Sequence, residues 1–124
     1  MTSAEATVLA YWQSCEARDW ETFGGLLADD AVYHLPQTRE RIIGRAALVR
    51  FNREYPDGWH LTVTRVIGAG RHAASLVSCA HEGAQLTATT FFDLDEAGLV
   101  REVTEFWPEP YEPPAGREHL AQRY

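Results

Sequence analysis

Four β-rich runs, Trp59 to Ile67, His72 to His81, Gln85 to Leu94 and Leu99 to Trp107, fill the second half of the chain. The breaks between them hold Gly68-Ala69-Gly70, Glu82-Gly83 and Asp95-Glu96-Ala97-Gly98. Runs rich in Val, Thr, Phe and Trp that are joined by tight glycine turns pair with their sequence neighbours, so this half predicts an antiparallel meander. A sheet of that kind must hide one face, and the rest of the chain has to supply the cover.

Ahead of Tyr55-Pro56-Asp57-Gly58, a type I turn signal, the pattern has a helical period. Val8, Tyr11, Trp12 and Cys15 recur on one face behind a Ser3 cap, leaving Glu5, Gln13 and Glu16 toward water. Asp19 predicts a second cap, for a short helix that aligns Trp20, Phe23 and Leu27 and ends near Ala28-Asp29-Asp30. The run Ala31-Val32-Tyr33-His34-Leu35 predicts a strand stopped by Pro36, which cannot donate to a ladder, and a polar loop follows. Gly44 precedes a third helix, Arg45 to Tyr55, whose inner face is Leu48, Phe51, Asn52 and Tyr55. The expectation is an α+β fold: a curved antiparallel sheet with three N-terminal helices packed on its concave face, enclosing a cavity. One domain spans 1–124, with 108–124 a Pro-rich, extended C-terminal extension and a short helix over Arg117 to Tyr124.

The net charge of -7, with no cluster of basic residues, argues against nucleic acid as a partner. No apolar stretch approaches the roughly 20 residues that cross a bilayer. The first residues, Met1-Thr2-Ser3-Ala4-Glu5, have none of the features of a signal peptide, so a cytoplasmic location is expected. Cys15 and Cys79 are far apart in sequence and read as small core residues, forming neither a disulfide nor a zinc motif. No nucleotide, metalloprotease or hydrolase signature occurs, so no metal and no cofactor are expected and function must rest on a pocket.

Within Leu99 to Trp107, alternation puts Glu105 on the apolar face of Leu99, Val103 and Trp107. A carboxylate in that position is either held for chemistry, with burial lifting its pKa, or tied to a partner such as Arg39, Arg41, Tyr11 or Asn52. His34 is a candidate proton carrier if it faces the cavity, whereas an inward Tyr33 and Leu35 would turn it out. His60 stands at a possible pocket mouth beside Trp59, and Arg39 lies in a polar loop that could meet an anionic ligand or only solvent. Asn52 is a polar guest on an apolar helix face and needs a partner or a ligand.

Four segments carry a family likeness: Val8-Leu9-Ala10-Tyr11, Leu27 through Pro36, Gly44-Arg45-Ala46-Ala47-Leu48, and Asp95-Glu96-Ala97-Gly98-Leu99-Val100. With them the chain resembles the nuclear transport factor 2-like superfamily, in particular its SnoaL-like polyketide cyclase, ketosteroid isomerase and limonene-epoxide hydrolase branches. The resemblance implies a cone-shaped sheet and a pocket between the helices and the sheet. Tyr11 matches the isomerases' oxyanion-hole tyrosine, but Leu35 stands where they place a general-base Asp and Thr90 falls near their protonated Asp. Glu105 falls on the last-strand Asp of the epoxide hydrolases, whose other Asp and Arg have no counterpart here.

The expectation is therefore a small-molecule-binding protein, an acid–base isomerase or cyclase for an apolar substrate with a carbonyl or hydroxyl group. Glu105, Tyr11 and His34 are the catalytic candidates. Asn52, Tyr33, Phe51, Trp59, His60, Phe92, Trp107 and Arg39 are the substrate-binding candidates. The alternatives are a non-catalytic binding or dimerisation module and a hydrolase in which Glu105 activates water. An outer sheet face with Ala74, Leu76 and Phe91 predicts a homodimer.

Overall fold

Thr2 and Glu5 start the fold, because each side chain bonds the other's backbone N–H, at 2.8 Å and 3.1 Å. This capping box satisfies two of the free amides at the start of a helix. In the computed structural model, which describes residues 1–124, the helix α1 runs Ser3–Glu16 and buries Ala4, Val8, Tyr11, Trp12, Ser14 and Cys15. The cap is Thr2, one residue before the expected Ser3. Asp19 caps α2 (Trp20–Gly25) as expected, accepting from the backbone N–H of Thr22.

The second helix stops before Leu27, which opens a strand instead: β1 runs Leu27–Leu35. Two interactions hold that longer strand. Leu27 pairs in parallel with Val100, and its carbonyl accepts two hydrogen bonds from the Arg45 guanidinium, at 3.0 Å and 2.8 Å. The expected polar loop is also shorter, because β2 (Glu40–Ile43) folds back on β1 with Tyr33 opposite Ile42. Gly44 has φ 99°, a value that suits glycine, and its N–H reaches the Ala31 carbonyl at 2.7 Å. From that anchored corner α3 (Arg45–Glu54) crosses with Leu48 fully buried.

The meander follows as expected in β3 (Trp59–Ala69), β4 (His72–His81), β5 (Ala84–Leu94) and β6 (Val100–Phe106). The six strands are ordered β2-β1-β6-β5-β4-β3. All neighbours are antiparallel except β1 and β6. Register shifts between Val63 and Arg65 and between Asp93 and Leu94 bend the ladder, as bulges do, and the sheet curls without closing. α1 packs closely on β3, where a Cβ on Gly68 would come within 3.2 Å of the Glu5 side chain and the Ala73 Cβ. No helix or strand forms after Phe106, so the short helix expected over Arg117 to Tyr124 is absent; that stretch makes only turns.

The core lies between the concave face and the helices. Val8, Phe23, Leu27, Leu48, Val77, Val100 and Val103 are fully shielded, and Phe92 joins them from β5. Phe92 meets Tyr11 and Trp12 edge-on, with centroids 5.0 Å and 6.3 Å away. Truncating it removes contacts to both rings at once. Phe92→Ala is expected to cost about 3–5 kcal/mol of unfolding free energy, read from urea denaturation.

Candidate functional site

Alternation along β1, β5 and β6 brings Tyr33, Thr90 and Glu105 to the same inner face, because Thr90 stands opposite Glu105 and Tyr33 opposite Val103. Glu105 is 4% exposed. Its carboxylate has no cationic partner and is held by three side-chain donors. Thr90 donates to Oε1 at 2.8 Å, Trp107 Nε1 donates to Oε2 at 2.8 Å, and the Tyr33 hydroxyl makes a short hydrogen bond to Oε2. None of the partners suggested by sequence, Arg39, Arg41, Tyr11 or Asn52, is among these donors.

Burial raises the Glu105 carboxyl above its ordinary value of 4.5, and the hydrogen bonds from Tyr33, Thr90 and Trp107 oppose that shift without cancelling it. Burial, and then the charge of Glu105, push the Tyr11 and Tyr33 phenols well above their usual value. Both phenols therefore keep their protons and remain donors at neutral pH.

Glu105 lies in the wall of a cavity of about 630 Å³ between the helices and the sheet. Tyr11 from α1, Phe51 and Asn52 from α3, Trp59 from β3 and Tyr33 from β1 share that wall, with Trp107 after β6. Asn52 Nδ2 bonds back to the Leu48 carbonyl at 3.0 Å, which leaves its amide oxygen without a protein donor. The Tyr11 hydroxyl makes no hydrogen bond within the protein and is not sealed off, so it is free for a ligand oxygen. Trp59 is fixed by the Arg18 guanidinium, whose carbon sits 3.3 Å from the ring centroid.

Four expected site residues lie elsewhere. His34 points out, since Tyr33 points in, and its Nε2 meets Glu102 at 3.2 Å on the convex face. His60 is turned out by the inward Trp59 and pairs with Glu16 at 3.1 Å. Arg39 is exposed at φ 60° in the turn before β2 and does not reach the cavity. Phe92 lies beneath the wall, shielded by Tyr11 and Trp12, and has no free surface to offer.

The sequence reading passed over Thr90 as a partner of Glu105 and His81 as a wall residue. Both were within reach of alternation: Leu86, Ala88, Thr90 and Phe92 share one face of β5, as Ser75, Val77, Cys79 and His81 do in β4. Cys15 and Cys79 are buried as expected of core residues, and both also touch the cavity. Burial lifts the Cys15 thiol to about 12 and the Cys79 thiol upward too, which keeps them unreactive. No arginine and no aspartate line the cavity, so no Asp-Arg-Asp set is assembled. No cluster of three His, Cys, Asp or Glu is placed to hold a metal ion. No helix is long and apolar enough to cross a membrane.

A curled sheet roofed by three helices, with a buried acid in the cavity between them, places the fold in the cone-shaped α+β class. Residues 8–103 match the SnoaL-like domain, and the chain belongs to that family. A crystal structure from Kribbella flavida DSM 17836, provisionally named a ketosteroid isomerase, is 48% identical, with a TM-score of 0.95 over 98% of this chain and 90% of that one. A nuclear transport factor 2-like protein of unknown function from Burkholderia xenovorans LB400 is 25% identical, with a TM-score of 0.83 over 98% and 95%. An epoxide hydrolase of the limonene-epoxide type from M. tuberculosis, 19% identical with a TM-score of 0.73 over 86% and 83%, shares the fold. No curated protein matches the chain.

A carboxyl whose folded pKa lies above its unfolded value stabilises the fold most below the unfolded value, and that advantage fades as pH rises through the folded one. For Glu105 the window opens near 4.5 and extends upward. Glutamine can keep the donors, accepting from Tyr33 and Trp107 while its amide donates to the Thr90 oxygen. Glu105→Gln should therefore gain melting temperature relative to the native protein as pH rises from 4.5 through that window, in paired thermal melts.

Proposed function

We propose that this protein binds a small, uncharged, largely apolar molecule with a carbonyl or hydroxyl group and acts on it as a cofactor-independent acid–base isomerase or cyclase. The observation that carries this reading is Glu105: a buried carboxylate with a raised pKa, lining a cavity that also contains the free hydroxyl of Tyr11. Burial makes this carboxylate more basic than a solvated one, which suits removal of a proton next to a carbonyl.

The chemistry follows from the lone pairs. Oε2 already accepts from Tyr33 and Trp107, whereas Oε1 accepts from Thr90 alone, so Oε1 is the better proton acceptor. It takes the proton from the carbon, the C–H electron pair forms a carbon–carbon double bond, and the carbonyl π pair moves onto the oxygen to give an enolate. Tyr11 is the group suited to meet that oxygen, bringing a proton it does not lose, while the free Asn52 amide oxygen can accept from a substrate hydroxyl. Return of the proton to another carbon is isomerisation. Attack of the enolate carbon on a second carbonyl of the same molecule, with that oxygen taking the proton, is cyclisation.

The walls set the substrate class. The cavity volume falls in the range of small-molecule sites, and Trp59, Phe51 and Trp107 favour flat apolar surfaces. Glu40, Glu105 and Glu109 are its charged lining residues, with no arginine to balance them, so anionic ligands are disfavoured. A homodimer through the convex face completes the proposal, since Phe91 and Ile67 are 53% and 58% exposed there. Light scattering is expected to give twice the chain mass; a monomer alone would remove this part.

In heavy water, the protein should speed deuterium exchange beside the carbonyl of apolar cyclic ketones, followed by mass spectrometry. Glu105→Gln should lower the rate at least ~10²-fold, and Tyr11→Phe about 10–10³-fold, with both variants folded. No exchange by the native protein with any ketone that binds would leave a binding module. Diol formation from an apolar epoxide would assign hydrolysis instead.

A further inference from the structure

We infer that His81 is a specificity residue that hydrogen-bonds a second oxygen of the substrate, at the end of the cavity away from Glu105. This deepens the reading of the cavity as a small-molecule site and rests on it. Nε2 of His81 is the one buried side-chain nitrogen or oxygen in the protein without a hydrogen-bond partner. Its ring lines the same cavity as Glu105, and Nδ1, which has no partner within the protein either, is not sealed off and is the nitrogen that a ligand oxygen reaches directly. A buried imidazole left unpaired costs stability, and proteins retain such groups where something else completes the bonding.

The register fixes where this group lies. Ser75, Thr90 and Glu105 stand side by side across β4, β5 and β6. His81 is further along β4, opposite Trp59 of β3, so it is about 20 Å from that row along the strand. Between them the inward positions of β4 are Val77 and Cys79, both apolar in character. Tyr55 lies beside the imidazole, its ring centroid 6.5 Å away, at the end of α3. Along β4 the positions between the Glu105 row and the imidazole are therefore apolar, and Cys79 lines the cavity there.

A ligand that satisfies both ends is an elongated, rigid, uncharged molecule with an oxygen at each end. The reacting carbonyl sits by Glu105 and Tyr11. The other oxygen is a hydroxyl or carbonyl, because imidazole presents one donor and one acceptor and a hydroxyl can match either.

The test uses matched probes that need no turnover: para-hydroxybiphenyl, its para,para′-dihydroxy counterpart, and the corresponding terphenyls, with binding measured by calorimetry. The native protein should bind one dihydroxy probe about 5–10-fold more tightly than its monohydroxy partner, as a hydrogen bond to an unpaired group allows. His81→Phe should abolish that increment and leave monohydroxy binding within about twofold, while His81→Gln should keep part of it. In the native protein, the His81 nitrogen resonances should shift with the dihydroxy probe and stay put with the monohydroxy one, a readout that needs no variant to fold. Equal binding of the two probes at both lengths, or an increment that survives His81→Phe, overturns the assignment of His81. Failure of every probe to bind overturns the small-molecule reading itself.

Discussion

Three side-chain donors and no cation hold the Glu105 carboxylate inside the protein, and the arrangement of the strands around it is what makes this possible. Each donor comes from a different part of the sheet: Tyr33 from β1, Thr90 from β5 and Trp107 from the end of β6. A fully desolvated carboxylate without such donors would be expected to take up a proton and stay neutral. With them it can carry charge, yet burial still leaves it more basic than a carboxylate in water. The chemistry proposed for Glu105 depends on that balance.

The balance in turn depends on the parallel pairing of β1 with β6. Antiparallel neighbours would have been enough for a meander, but only a strand laid beside β6 can deliver Tyr33 to Oε2. β1 is brought there by local devices. Gly44 turns at positive φ and hangs on the Ala31 carbonyl, and Arg45 clamps the Leu27 carbonyl from the start of α3. Trp107 is fixed by a second tie, its backbone N–H donating to the Gln37 side chain in the turn after β1. The turn and the start of the Pro-rich segment are therefore joined at the cavity, where Gln37, Pro108 and Glu109 share the lining.

What the sequence revealed was whatever depends on a short-range period. The alternation of β6 put Glu105 inside, the helical spacing of Tyr11, Trp12 and Cys15 gave the buried face of α1, and the glycine turns marked the hairpins. What it concealed depends on contacts distant in sequence. Leu27-Ala28-Asp29-Asp30 has no strand pattern of its own and becomes one through Val100 and Arg45. Glu40 to Ile43 is an exposed edge whose strand character comes from its partner. Alternation assigns Thr90 to an inner face, but that Tyr33 and Thr90 meet Glu105 could not be read for the same reason, since they are 72 and 15 residues away. Alternation did contain the answer for His34, because an inward Tyr33 turns it outward.

The central claim is that Glu105 is an ionisable, unusually basic carboxylate lining an accessible cavity, and a carboxyl-carbon NMR titration of glutamate-labelled protein tests it most directly. The Glu105 resonance, assigned by its loss in Glu105→Gln, should titrate with a midpoint above 4.5. A midpoint at or below 4.5 would show that hydrogen bonding outweighs burial, and would leave Glu105 as a structural anchor with no basicity to spare for chemistry.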